Sequence, residues 1–115
     1  MENISYEDFK KMDIRIGEIK FVEPVPETDK LLRCEIDFGE VDEDGNKKLR
    51  QIVSGIRESY PEYENLVGKK ILYILNLEPR EIKGVDSNGM LMAVGDDEPI
   101  FLVGEQDVPA GSRVR

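Results

Sequence analysis

A strict alternation of apolar and charged residues in LLRCEIDFG (31–39) limits the possible fold more than any other feature of the sequence. The apolar positions are Leu32, Cys34, Ile36 and Phe38. A period of two is typical of a β-strand that packs one face against a core. Because Cys34 lies on the apolar face, we expect it to be a small core residue rather than a nucleophile.

Four other segments have strand character, and one short helical segment separates two of them. The predicted strands are 13–25, 31–39, 48–56, 69–77 and 89–94, and the helical segment is 57–68. A helix between the third and fourth of five strands is the order of the OB fold, a Greek-key barrel. The sequence therefore predicts an all-β protein with short helices, in which residues 1–115 form one domain.

The N-terminal segment and the first strand each contain a local signal. Ser5 followed by Asp8 fits a helix start, which predicts a short helix over about residues 5–12. Within 13–25 the apolar alternation changes phase at Gly17, which indicates a bulge or a bend. Such a bend would let one strand serve two parts of a small barrel.

Composition excludes several kinds of chemistry. The chain has no histidine and one cysteine, so it lacks the imidazole base of the usual catalytic triads and the ligands of structural zinc sites. The acidic segment EVDEDGN (40–46) lacks the closing glutamate of a calcium loop, and we interpret it as a hairpin tip. We therefore expect no metal and no cofactor.

The segment VDSNG (85–89) superficially resembles the G-x-S-x-G turn of serine hydrolases. However, Val85 replaces the first glycine, and the next predicted element is a strand instead of a helix. No histidine is present to activate Ser87. These differences favour a non-catalytic loop.

The charge distribution limits the choice of ligand. A net charge of −9 argues against a general nucleic-acid binder, since phosphate contacts require Lys and Arg. Residues 47–83 nevertheless carry a local charge of +3. Either a basic face or merely solvated strand ends would account for this charge. The longest apolar run, 71–75, is too short to cross a membrane, and the polar N-terminus is not a signal peptide. We expect a cytoplasmic protein.

Polar residues lie near the ends of the predicted second, third and fourth strands and in the loop before the fifth. In an OB arrangement one rim would include Lys30, Arg50, Asn76, Lys83 and Ser87. Cationic groups would bind phosphates, while amides and hydroxyls would bind phosphate or ribose oxygens. We expect Met90 to anchor the loop, with Gly84 and Gly89 providing turn conformations.

Seven motifs in order carry a family resemblance. They are DIRIGEI, PETDKL, RQIVSGI, VGKKI, NLEPR, KGVDSNGML and VPAGSRV. Over about residues 8–115 the chain resembles the tRNA-binding domain family. That family includes the C-terminal domain or separate beta subunit of methionyl-tRNA synthetase, free-standing structure-specific tRNA-binding proteins, a synthetase-associated cytokine precursor and a secretion chaperone.

The resemblance implies an OB barrel that recognises the outside of the L-shaped tRNA, usually as a homodimer and without catalysis of its own. Its partners would be tRNA and a methionyl-tRNA synthetase catalytic subunit. The residues expected from the motifs to bind tRNA are Lys30, Arg50, Gln51, Ser54, Asn76, Arg80, Lys83, Ser87 and Met90. The expected structural glycines are Gly17, Gly55, Gly84 and Gly89.

Two other functions stay open. The doubly apolar segment 69–77 and the net acidity suit a peptide-binding homodimer like the secretion chaperone, although that branch lacks a comparable RQIVSG stretch. A purely structural assembly domain is the third possibility. For a dimer, the candidate surface combines Phe9, Met12 and the tail segment PIFLV (99–103), although these residues would also suit the capping of barrel ends. The initial methionine and the family-like ending lead us to expect a complete chain.

Overall fold

β-Strands dominate the computed structural model, which describes residues 1–115. The strands are β1 (Ile14–Pro24), β2 (Leu32–Val41), β3 (Lys47–Ser54), β4 (Lys70–Ile74), β5 (Arg80–Ile82), β6 (Val85–Ser87), β7 (Met90–Leu91), β8 (Ala93–Val94) and β9 (Ile100–Phe101). Helix α1 spans Tyr6–Lys10, and a one-turn 3₁₀ helix spans Tyr63–Leu66. Neither helix has the length and apolar character that would be needed to span a membrane.

The main sheet has the strand order of an OB barrel. Its five antiparallel strands, in the order β3-β2-β1-β4-β7, curl into a half-barrel. Strand β1 pairs with β4 through Ile14–Glu18 and with β2 through Glu18–Pro24, so one strand serves both parts of the sheet. The predicted all-β class, the OB order and the short helix before the fourth strand are therefore confirmed.

The irregularity in β1 is not at Gly17, where the sequence pattern placed it. The register with β2 shifts between Ile19 and Phe21. Gly17 instead permits close packing, because a Cβ at this position would collide with the Phe38 ring and lie 2.5 Å from Cγ2 of Ile36. The change of phase in the sequence arises because β1 buries both faces here, Ile14 and Ile16 on one and Gly17 and Ile19 on the other, and the bulge lies farther along the strand.

The inward face of β2 supplies the centre of the core. Its apolar residues Leu32, Cys34, Ile36 and Phe38 are all buried, which confirms the predicted face. The Phe38 ring meets the Tyr73 ring of β4 edge to face, with 5.3 Å between centroids. Burial raises the pKa of the Cys34 thiol to about 11, so the thiol stays protonated at neutral pH and packs as an apolar group.

The acidic segment forms the predicted hairpin tip between β2 and β3. Oδ1 of Asp42 accepts hydrogen bonds from the backbone N–H groups of Asp44 and Asn46, each at 2.9 Å. Gly45 has a φ of 82°, a left-handed conformation that glycine adopts readily. The carboxylate of Asp42 thus closes the turn itself.

Both chain ends lie beside the first half of β1. Oγ of Ser5 accepts a hydrogen bond from the N–H of Asp8 at 3.0 Å, which confirms the predicted helix start, although α1 itself is shorter than predicted. In the C-terminal tail, the N–H of Val114 donates to a β1 carbonyl at 2.8 Å. Nη2 of Arg113 donates to the carbonyl of Lys10 at 3.1 Å, so the tail also holds the end of α1.

The last predicted strands are shorter than expected. The predicted strand 89–94 is divided at Met92 into β7, which pairs with β4, and β8, which pairs with β9. Strand β9 covers only Ile100 and Phe101 of the apolar tail segment 99–103. The division leaves β8 and β9 as a small separate sheet beside the barrel.

Replacement of Gly17 by alanine tests the close packing of β1. We expect the free energy of unfolding to fall by about 1–3 kcal/mol, because the added methyl group overpacks the core against Phe38. Urea unfolding at neutral pH provides the measurement.

Gly55→Ala is the matched control. At Gly55 an added Cβ would meet only Cδ2 of Leu31, at 4.0 Å, and φ is not positive, so the geometry does not require the glycine expected there. We expect a change within about 0.5 kcal/mol. Unchanged stability of the Gly17→Ala protein would contradict the packing account.

Candidate nucleic-acid interface

A cleft of about 380 Å³ separates the loop that joins β1 to β2 from the tip of the β5–β6 hairpin. Lys30 lines the loop side of this rim cleft, and Lys83 lines the hairpin side. Neither ammonium group forms an ion pair or hydrogen bond; the lysines that do are Lys10, Lys11, Lys20, Lys47 and Lys70. The structure thus brings two predicted phosphate-binding cations together and leaves both free.

The rim cleft is not strongly electropositive. Glu27 and Asp29 also line it, so the formal charges of its two lysines and two carboxylates cancel. Phosphate contacts would have to form at the ammonium groups individually, since the cleft as a whole lacks a positive excess. This arrangement favours weak binding with few ionic contacts.

The loop wall of the rim cleft has a defined backbone shape. The N–H of Val25 donates to the carbonyl of Leu31 at 3.1 Å, which closes the base of the loop. Arg57 braces the loop from outside, through Nη1 to the carbonyl of Thr28 and through its N–H to the carbonyl of Lys30, both at 3.1 Å. Arg57 is a positioning residue that the sequence did not identify, because nothing in the pattern pairs it with this loop.

The hairpin wall is built on a tight turn. In the β5–β6 pair, Arg80 lies opposite Ser87 and Ile82 lies opposite Val85. Only Lys83 and Gly84 remain between the two strands. Both residues have positive φ, 52° and 81°, as a type I′ hairpin turn requires. The predicted loop before the fifth strand is therefore a β-hairpin, and Gly84 has the turn role expected of it.

Side-chain hydrogen bonds fasten this hairpin to β3. Oγ of Ser87 accepts from the N–H of Val53 at 3.0 Å and donates to the carbonyl of Gly89 at 3.3 Å. Nε2 of Gln51 donates to the carbonyl of Asp86 at 2.8 Å. Ser87 and Gln51 thus hold the hairpin in place instead of presenting free polar groups on the rim.

Ser87 and Met90 have exchanged the roles expected of them: the serine is buried and the methionine is exposed. Ser87 is only 5% exposed, whereas Met90 is 50% exposed and does not anchor the loop in the core. Burial of Ser87 follows from its bond to the β3 backbone, since a buried N–H group needs a partner. Gly89 has a φ of 144°, and a Cβ there would lie 3.1 Å from both Ile52 and the Ile74 carbonyl, so its structural role follows from the geometry.

Arg50 joins three parts of the structure. Its Nε and Nη2 donate to the two carboxylate oxygens of Glu40 at 2.7 and 3.0 Å. Its Nη1 donates to the carbonyls of Leu75 and Asn88 at 3.1 and 3.3 Å. Hydrogen bonding to the Arg50 guanidinium lowers the pKa of Glu40, and the same bond raises the pKa of Arg50. With most of its donors occupied, Arg50 has little left for a phosphate.

Asn76 is also occupied by the protein itself. Oδ1 accepts from the N–H of Asp13 at 2.8 Å, and Nδ2 donates to the carbonyl of Lys11. Its amide therefore fixes the segment that follows α1. The sequence showed that an amide at a strand end needs partners, but it did not show that the segment after α1 would supply them.

The other predicted site residues differ in their surroundings. Arg80 is exposed at the start of β5 and forms no ion pair or side-chain hydrogen bond, so it extends the free cations of the hairpin. Ser54 is half-buried at the end of β3, opposite Leu32 in the sheet. Lys48, which the sequence did not single out, is an exposed cation beside a second cleft that Arg50 and Asn88 also line.

The fold and the site together define a small OB-type binding domain with free cations on one rim. A family model described as "Putative tRNA binding domain" matches residues 14–113. Because this match covers most of the chain, the protein belongs to the tRNA-binding domain family. The family resemblance inferred from the motifs is confirmed.

Methionine–tRNA ligases contain a similar segment. The chain is 44% identical over 117 residues to the methionine–tRNA ligase of Methanosarcina acetivorans, an alignment that covers 100% of this chain and 15% of that protein. The chain therefore spans about 15% of the length of the curated relatives that it matches.

Solved structures of similar length share the fold. The MetRS-related protein from Pyrococcus horikoshii is 33% identical, with a TM-score of 0.83 and full coverage of both chains. The chaperone CsaA from Bacillus anthracis is 28% identical, with a TM-score of 0.80 over 99% of this chain and 100% of its own. These similarities support the OB-type assignment made from the strand order.

Replacement of Glu40 by glutamine tests the structural role of Arg50. We expect the free energy of unfolding to fall by about 1–2 kcal/mol at pH 7, because the half-buried guanidinium loses a charge-assisted pair. The pKa of Glu40 is lowered by folding, so the stabilisation is present above its ordinary value of 4.5 and disappears as pH falls through the lowered value.

Urea unfolding of the two proteins at pH 7 and pH 3 measures this difference, which should shrink at the lower pH. Glu43→Gln is the matched control, since Glu43 lies at the exposed hairpin tip and forms no ion pair. A Glu40→Gln protein as stable as the wild type at pH 7 would contradict the role assigned to the pair.

Proposed function

We propose that this protein is a non-catalytic module that binds tRNA through the rim cleft and assists a methionyl-tRNA synthetase. The observation that carries the proposal is the pair of unpaired ammonium groups, Lys30 and Lys83, that face one cleft in a member of the tRNA-binding domain family. Phosphate oxygens of an RNA backbone are the ligands that suit such groups.

The weak charge of the rim cleft supports an assisting role. Glu27 and Asp29 offset the two lysines, so few counterions would be released on binding and the intrinsic affinity would be low. Attachment to a larger enzyme raises the effective concentration of a weak site without new contacts. The similar segment in methionine–tRNA ligases supports such a partner.

The non-catalytic character rests on the residues available. Ser87 is the only part of the chain that resembles a nucleophile motif, and its hydroxyl is engaged with Val53 and Gly89. The chain has no histidine to act as a general base. We infer a cytoplasmic location from the similarity to methionine–tRNA ligases.

We also propose a homodimer formed through the N-terminal and C-terminal segments. A groove of about 260 Å³ lies between α1 and the tail, lined by Phe9, Met12 and Val114. Tyr6 also lines the groove and is exposed, as is Ile4 two residues before it. A second copy covering this face would remove its apolar surface from water.

A peptide-binding chaperone is the second candidate. The structural similarity to CsaA and the apolar groove beside α1 favour it. Suppression of the aggregation of a denatured client, with no preference for tRNA over other RNA, would support this function. Preferential tRNA binding without such suppression would support the first.

The rim cleft is tested by measuring tRNA binding as a function of salt. We expect unfractionated tRNA to bind better than duplex or single-stranded RNA. Because each phosphate contact contributes about −0.9 to the slope of log K against log salt, Lys30→Ala with Lys83→Ala should flatten the slope by about 2.

Lys69→Ala is the matched control, an exposed lysine beside the 3₁₀ helix and outside the rim cleft. It should leave the slope unchanged. Equal affinity for the three RNAs, or the same slope in the double variant and the wild type, would refute the proposed site.

The dimer is tested by sedimentation equilibrium. We expect the wild type to sediment as a dimer and Tyr6→Glu to sediment as a monomer, because a buried carboxylate at the α1 face is costly without a partner. Val41→Glu, at an exposed apolar position on β2, is the control that should stay dimeric. A monomeric wild type at all concentrations would remove the dimer proposal.

A further inference from the structure

An aromatic ring lies exposed on the outer face of the sheet. Phe21 follows the bulge in β1 and is 41% exposed, on the side opposite the buried residues of β2. The guanidinium of Arg33 lies over its ring, with 5.3 Å from Cζ to the centroid. An exposed aromatic ring on a β-sheet suits the stacking of nucleic-acid bases.

The guanidinium of Arg33 is held in place. Nε donates to Oε1 of Glu23 at 2.7 Å, Nη1 to Oε1 of Gln51 at 3.0 Å, and Nη2 to Oε2 of Glu35 at 3.4 Å. These partners fix the orientation of the plane before any ligand arrives. A pre-organised plane loses less side-chain entropy on binding than a free one.

The charges around Arg33 disfavour a phosphate. One guanidinium is matched by two carboxylates, those of Glu23 and Glu35, so the group carries a formal charge of −1. An RNA backbone would be repelled there, whereas a neutral base would not. The group therefore suits a base and differs in this respect from the rim cleft.

Glu35 offers hydrogen-bond acceptors beside the ring. In the register of β1 with β2 it lies directly opposite Phe21. Only its Oε2 contacts Arg33, and an ionised carboxylate can only accept hydrogen bonds. Adenine, cytosine and guanine carry exocyclic amino donors, whereas uracil has none.

The group formed by Phe21, Arg33 and Glu35 is connected to the rim cleft. Arg33 follows two residues after Leu31, which lines the cleft. Gln51, which accepts from Arg33, donates to the carbonyl of Asp86 in the hairpin. A strand of RNA that extends from Lys30 along β2 would bring an unpaired base to Phe21, which pairs with Glu35 of that strand.

We propose that Phe21, Arg33 and Glu35 form a stacking site for one unpaired, amino-bearing base of the RNA held at the rim cleft. The inference rests on the proposed tRNA-binding function and adds base recognition to it. Phe21 supplies the exposed ring surface, Arg33 lies over the ring and holds it in place, and Glu35 accepts from the amino group.

A tryptophan at position 21 provides a direct probe, because the chain contains no tryptophan. We expect tRNA and guanosine 5′-monophosphate to quench the fluorescence of the Phe21→Trp protein, and uridine 5′-monophosphate to quench it less. Val41→Trp, exposed elsewhere on β2, is the matched control and should not respond to the mononucleotides. Glu35→Gln in the Phe21→Trp protein should reduce the difference between the two nucleotides.

Affinity measurements complete the test. Phe21→Ala should weaken tRNA binding by about 5- to 150-fold, the range for loss of one stacked base, and leave the salt slope unchanged because no phosphate contact is lost. If tRNA binds but neither nucleotide nor tRNA quenches Phe21→Trp, the stacking site is wrong and the proposed tRNA-binding function stands. If guanosine 5′-monophosphate quenches but the wild type does not bind tRNA, the proposed function fails instead.

Discussion

The hydrogen bond from the backbone N–H of Val53 to Oγ of Ser87 fastens the β5–β6 hairpin to β3, and the rim cleft depends on it. Loss of the hydroxyl would leave a buried backbone donor unpaired, which costs about 1–3 kcal/mol. Gln51 strengthens the same junction through the Asp86 carbonyl. Because Lys83 lies at the tip of this hairpin, the junction fixes one wall of the cleft.

The polar residues of this region divide into two groups by their hydrogen bonds. Arg50 and Asn76 bond to carboxylate and backbone partners within the protein, so they position strands and the segment that follows α1. Lys30 and Lys83 have no such partners and are available to a ligand. An acidic protein can in this way present a few free cations locally. Its affinity for RNA is then low by itself and rises when a partner increases the local concentration of the RNA.

The sequence predicted the β2 face, the strand order and the acidic hairpin tip, because each depends on local periodicity or turn chemistry. It did not predict the β5–β6 hairpin, since its turn uses Lys83 at positive φ, a conformation that residues other than glycine adopt only rarely. Nor did it show that Ser87 is buried: its partner, Val53, is distant in the chain. Such pairings depend on tertiary contacts, which the spacing of residues along the sequence does not reveal.

The central claim is that RNA contacts the two walls of the rim cleft, and amide chemical shifts of isotopically labelled protein titrated with tRNA test it most directly. The account predicts the largest shift changes within residues 27–31 and 82–83, which line the cleft. Smaller changes should extend to the outer face around Phe21. Changes confined to α1 and the C-terminal tail, with the cleft amides unmoved, would contradict it.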